Sequence, residues 1–210
     1  MVLAKYFLPA FLGLTLYEML WHRIDRGLHY FVWKLSTLTW LCMIFTIVYF
    51  SMRVLNHTRV TKISSALMSI SYLVCLTLSC VVVAAYWGLY LKNPLLVDRH
   101  LYSGWDFDYL CNLFLHGGNL VLVVMEGYSL KDFVCPSNKF FLTFELCFCV
   151  AYSTLQRVSW SITGIPVYNF LEEFSTLQLG IFYLILYVFG ISIKLLAASL
   201  ISKNTDKKLK

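Results

Sequence analysis

Apolar residues run in long, almost uncharged stretches along this chain, and the polar residues gather between them. Six stretches stand out, at residues 3–21, 33–52, 65–89, 109–127, 140–159 and 176–201. Each approaches the ~20 residues that a helix needs to cross the hydrocarbon core of a bilayer. The connecting segments are short and no internal repeat is visible. The pattern therefore predicts an all-α membrane bundle of six transmembrane helices over residues 1–202, followed by a basic tail at 203–210.

Composition supports that class. The chain is 60% hydrophobic and only 13% charged, with a mean hydropathy of +0.72, where a soluble domain is about 25% charged. The first stretch, Val2–Leu20, has no small-residue cleavage site and is expected to span rather than to be removed as a signal peptide. Six of the seven cysteines (Cys42, Cys75, Cys80, Cys111, Cys147 and Cys149) lie in apolar stretches and only Cys135 in a loop, so no disulfide framework is implied. The Cys147–Cys149 spacing fits no common zinc pattern, and no metal site is expected. The net charge of +6 comes from short basic loops and the tail, which argues for membrane topology and against a nucleic-acid partner.

Six spans put both termini on one side. With the termini cytosolic, that side holds Lys5, Arg53, Arg59, Lys62, Lys131, Lys139, Lys203, Lys207, Lys208 and Lys210. The other side holds Arg23, Arg26, Lys34, Lys92, Arg99 and Arg157, with Lys194 inside the last span. Ten against six favours cytosolic termini by the positive-inside rule. Lys207 and Lys208, fourth and third from the C-terminus, then fit a dilysine signal read by coat-type retrieval machinery, consistent with the endoplasmic reticulum; a solvated basic tail fits them equally. Asn56-His57-Thr58 matches a glycosylation sequon but is cytosolic in this topology and is expected to stay unmodified.

His116 is the one histidine of five inside a long apolar run, Leu110–Met125, and Asn112 and Asn119 share its helical face. An ionisable group at membrane depth is costly and marks a functional candidate. Thr37 in the second span, together with Tyr152 and Gln156 in the fifth, is expected in the same leaflet as His116. The loop Ser161–Phe174 closes that side with Thr163, Gly164, Tyr168 and Glu172. A hydroxyl with a neighbouring imidazole is the minimum for nucleophilic acyl transfer, because the base must take the hydroxyl proton during attack. Asn112 or Tyr152 is placed to orient the ring, and Gln156 or the Thr163-Gly164 turn to face an oxyanion. Spacing alone does not separate Thr37 from Ser36, Thr39 or Thr46, and threonines in membrane helices commonly bond their own backbone. The asparagines equally serve as glue between helices.

Around these residues the chain resembles the androgen-induced gene 1 and androgen-dependent TFPI-regulating protein family, membrane hydrolases that cleave fatty acid esters of hydroxy fatty acids with a threonine and a histidine. Trp33-Lys34 followed by Thr37 is similar to the segment of the nucleophilic threonine. Asn112 with His116, and Glu126 ten residues later, is similar to the helix of the catalytic histidine. The stretch from Val150 to Glu172 keeps Tyr152, Thr163-Gly164, Val167-Tyr168 and Phe170-Leu171-Glu172. Leu113, Gly117, Pro166 and Asn169 depart from the family pattern. The resemblance implies a lipid-ester hydrolase with Thr37 as nucleophile and His116 as base, needing no cofactor, whose substrate enters from the membrane lipids. Lys34, Arg99 and Arg157 are the candidates to hold a substrate carboxylate. The alternative is a non-enzymatic lipid-binding, transport or scaffold protein in which His116 packs helices together.

Overall fold

Three of the long helices begin at a hydroxyl residue, and for one reason. Thr37, Ser64 and Ser137 each hold an extended backbone, and their side-chain oxygens accept the amide hydrogens of Trp40, Leu67 and Phe140. Each thereby satisfies one of the first-turn donors that a helix leaves without a partner. At the other end of the third helix, Gly164 adopts φ +68°, a left-handed conformation that costs glycine little, and its amide closes on the Trp160 carbonyl.

The computed structural model describes residues 32–58, 60–93, 111–128, 130 and 133–208, with side chains through 201, plus positions 8, 9, 12, 13 and 17. Most of the first predicted span lies outside these residues, as does Arg99. The elements are α1 (Leu38–His57), α2 (Ser65–Lys92), a π-helical turn (Phe114–Gly118) running into α3 (Asn119–Gly127), α4 (Asn138–Thr163), the short α5 (Phe170–Glu173) and α6 (Thr176–Lys208). No strand occurs among the described residues.

Three of these helices are long and apolar enough to cross a membrane: Leu38–His57, Ser65–Lys92 and the Thr176–Ile201 part of α6. Such helices are the mark of an integral membrane protein. α4 is 26 residues long but carries Lys139, Glu145, Gln156 and Arg157 and is not among them. The second span does not run unbroken from residue 33. A helical turn at 32–35 ends where Ser36 turns both its amide and its hydroxyl onto the Trp33 carbonyl, and α1 starts afresh after Thr37. Hydroxyl side chains that bond nearby backbone compete with helix continuation.

α2 is the central element. Its most apolar 18-residue window is 67% buried, against 22% for α6, so α2 is enclosed while α6 turns most of its surface outward. α1, α3 with the π turn, and α6 all pack on α2, and α4 packs on α6. The core between α1, α2 and α3 is filled by Tyr49, Phe50, Tyr72, Leu73 and Val123. Leu38, Cys42, Val74, Leu78 and Tyr152 form a second cluster. Exposed Leu146 and Val150 on α4 and Leu184, Ile185 and Val188 on α6 suit contact with lipid. The loop after α4 is tied down by the Trp33 indole, which donates to the Pro166 carbonyl at 2.9 Å, and by Val167, Phe170 and Leu171 packed beneath it. Pro166 is therefore held through its backbone oxygen.

Candidate active site

The N-terminal turn of α1, the last turns of α2 and the C-terminal half of α4 meet at one end of the bundle, and Thr37, His116, Tyr152, Gln156 and Tyr168, singled out in the sequence, lie there. His116 sits in the π turn, a local widening of the helix that is frequent at functional sites. Its Nδ1 lies 2.9 Å from the Asn112 backbone carbonyl. A carbonyl oxygen only accepts, so Nδ1 carries the hydrogen in the neutral ring and Nε2 presents its lone pair. Facing that lone pair at 3.0 Å is the hydroxyl of Thr39.

The imidazole is held on several sides. The Tyr86 ring stacks on it with centroids 3.6 Å apart, and the Trp87 indole donates to the His116 carbonyl at 3.0 Å. Asn112 orients the ring through its main chain, and its side-chain amide donates to the Tyr86 hydroxyl instead. Asn119 lies away from this cluster: its amide donates to Cys42 Sγ at 3.0 Å and to Ser79 Oγ at 3.2 Å, joining three helices.

Thr37 is placed differently. Its hydroxyl donates to the Lys34 carbonyl at 2.9 Å and accepts the Trp40 amide at 3.3 Å. Both bonds are local and fix the start of α1. The structure thus brings Thr39, and not Thr37, to His116. Lys34 lies over the Trp40 ring at 5.4 Å.

From Thr39 the polar groups continue as a chain of hydroxyls and amides. The Leu38 amide donates to the Tyr168 hydroxyl at 2.9 Å. The Tyr152 hydroxyl donates to Tyr168 at 3.5 Å and accepts from Gln156 Nε2 at 2.7 Å, while the Tyr183 hydroxyl donates to Gln156 Oε1. Thr39, Tyr86, Tyr152, Gln156 and Tyr168 line one narrow cavity of about 40 Å³, walled otherwise by apolar side chains of α2, α5 and α6. That volume holds a few water molecules at about 10–15 Å³ each, so an acyl chain enters only by displacing side chains. Gln156 also borders a wider cleft of about 570 Å³, lined by exposed Arg157 and Glu172 together with Trp160, Gly164 and Tyr183.

Thr163 serves the backbone: its hydroxyl donates to the Ser159 carbonyl at 2.8 Å and caps the turn that Gly164 makes. No cluster of three metal-binding side chains occurs among the described residues. Two participants were not separable by sequence. Thr39 was one of four neighbouring hydroxyl residues, and Tyr86 carries no motif of its own beyond its place beside Trp87.

No curated protein and no solved structure matches this chain at a significant level. Residues 5–202 match one family model, nearly the whole chain, and the chain belongs to the FAR-17a/AIG1-like protein family.

Proposed function

We propose that the protein is an integral membrane hydrolase of lipid esters, of the class of fatty acid esters of hydroxy fatty acids, with His116 as its base and a threonine of the first turn of α1 as its nucleophile. The observation that carries this reading is the alignment of Asn112 carbonyl, His116 ring and Thr39 hydroxyl at 2.9 and 3.0 Å, with Thr39 on the wall of a cavity. Nucleophile and base within hydrogen-bond reach, with the base oriented by a third group, is the geometry that acyl transfer requires.

In the reaction Thr39 Oγ1 attacks the ester carbonyl carbon while Nε2 of His116 takes the hydroxyl proton. The same Nε2–H then protonates the departing hydroxy fatty acid oxygen, leaving an acyl-threonine. Water, deprotonated by His116, attacks that ester and returns the threonine proton through Nε2. The Asn112 carbonyl holds the imidazolium in register throughout. Arg157 in the wider cleft is placed for the free carboxylate of the substrate, with Gln156 between the cleft and the cavity.

Family membership supports a second assignment for the nucleophile, Thr37, which the resemblance points to. Thr37 can serve only after its hydroxyl leaves both the Lys34 carbonyl and the Trp40 amide, a rotation about one side-chain bond. Hydrolysis of a branched lipid ester by the detergent-purified protein tests both. H116A is expected to lose activity, and T39A with it, while T37A keeps most of it. The reverse pattern for the two threonines moves the nucleophile to Thr37. Full activity in H116A sinks the hydrolase reading.

The six-span topology with cytosolic termini, and retrieval to the endoplasmic reticulum through Lys207 and Lys208, belong to the same proposal. Serines in place of both lysines are expected to shift the protein out of that compartment, and a glycan on Asn56 would reverse the orientation.

A further inference from the structure

An ester hydrolase needs a hydrogen-bond donor aimed at the oxygen that turns negative in the tetrahedral intermediate. In the chain of hydroxyls beside Thr39, the donors and acceptors can be counted. Tyr183 gives its hydrogen to Gln156 Oε1, Gln156 Nε2 gives one to the Tyr152 oxygen, and Tyr152 gives its own to the Tyr168 oxygen. The Tyr168 oxygen also accepts the Leu38 amide. Both lone pairs of Tyr168 are therefore directed at protein, while its own hydroxyl hydrogen has no acceptor among the described residues.

That hydroxyl lies on the wall of the cavity that Thr39 also lines, and it is bonded to the amide of the residue immediately before Thr39. The hydroxyl of half-buried Tyr168 borders the cavity with no protein acceptor for its hydrogen among the described residues, and the oxyanion of a tetrahedral adduct on Thr39 would supply one. A phenol carries its hydrogen at neutral pH, and burial moves Tyr168 further in that direction.

We propose that Tyr168 is the catalytic oxyanion donor, with Tyr152, Gln156 and Tyr183 behind it fixing the direction of its hydrogen bond. The assignment rests on the hydrolase reading and adds the residue that stabilises charge in the transition state. It applies to either threonine, since Leu38, which anchors Tyr168, stands between Thr37 and Thr39. A structural phenol would equally accept the Leu38 amide but would have no effect specific to the transition state.

The test compares wild type, Y168F and H116A, using a fatty acid ester substrate and a long-chain trifluoromethyl ketone that mimics the tetrahedral adduct. Y168F is expected to lower kcat about 10²–10³-fold with KM little changed, as loss of one oxyanion donor does elsewhere, and to weaken the ketone in parallel with kcat/KM. If Y168F keeps wild-type kcat, or changes only KM, while H116A is inactive, the oxyanion assignment is overturned and the hydrolase reading stands. If H116A is as active as wild type, the hydrolase reading itself fails. Should Y168F melt at lower temperature than wild type, 4-aminophenylalanine and 4-methylphenylalanine at position 168 replace it. These fill similar space, one with a donor and one without. At least tenfold higher activity in the amino variant supports the assignment, and equal activity overturns it.

Discussion

The two ends of the bundle hold their polar groups in opposite ways. At the end described above, the buried groups are neutral, linked by hydrogen bonds, and border a cavity, while Arg157 and Glu172 stay exposed. Towards the other end they are charged and paired. Arg53 meets the fully buried Glu126 at 2.7 Å, with the Tyr49 hydroxyl alongside. Lys194, 1% exposed, pairs with Glu145 and stands over the rings of Phe141 and Phe144. A charge buried beside its counter-ion is committed to the fold, because separating the two exposes each to a low-dielectric interior. A neutral imidazole facing a hydroxyl has no such commitment and can exchange a proton. On the proposed function, the contrast separates polar residues that hold helices together from those that carry chemistry, although both kinds look equally expensive in an apolar sequence.

Four substitutions bear on that contrast. The largest effect is expected from H116A, with kcat reduced about 10³–10⁴-fold, at the upper end for loss of a general base, and the detergent melting temperature nearly unchanged. A large drop in melting temperature, proportional to the loss of activity, would return His116 to a packing role. E145A comes next. It leaves the Lys194 charge buried without its partner and is expected to cost about 3–5 kcal/mol of stability, read from unfolding in mixed micelles, while the folded fraction keeps wild-type kcat. Restoring neutrality with E145L/K194M should recover most of the loss; a stable but inactive E145A would place this pair in the chemistry.

A third substitution probes packing at the charged end, beside Glu126. A Cβ on Gly127 would collide with the hydroxyl of buried Tyr72, so G127A is expected to cost about 1–3 kcal/mol as overpacking. G127A/Y72F should regain part of it, and equal stabilities of the single and double variants would show that the clash relaxes elsewhere. The smallest effect belongs to N119A. Loss of its bonds to Cys42 and Ser79 is expected to cost about 0.6 kcal/mol, the average for a hydrogen bond between membrane helices. An N119A protein with normal stability and no activity would extend the proposed site to that residue.

Much of the bundle was legible in the sequence, because apolar run length and helix start signals are local. The stretches that became α1, α2 and α6 were visible as runs, and so were the polar residues Tyr152 and Gln156 of α4. The break at Ser36-Thr37 was not, since four hydroxyl residues in that region offer equivalent local bonds and only the packed chain selects among them. The π turn at Phe114–Gly118 was hidden for a similar reason: Gly117-Gly118 permits it without specifying it.

The sequence by itself determined that this is a helical membrane-type chain of the FAR-17a/AIG1-like family, with one histidine in a costly apolar place. Tertiary structure decided which hydroxyl that histidine faces. Thr39 and His116 lie 77 residues apart and meet only because α1 and the π turn both pack against α2. Packing of α4 on α6 decided that Glu145 has Lys194 as its partner, and docking of the loop after α4 decided that Tyr168 reaches the turn containing Thr39. Helix formation depends on neighbours within a turn or two, so it can be read along the chain; a hydrogen bond across helices depends on how the helices cross, and no single segment carries that information.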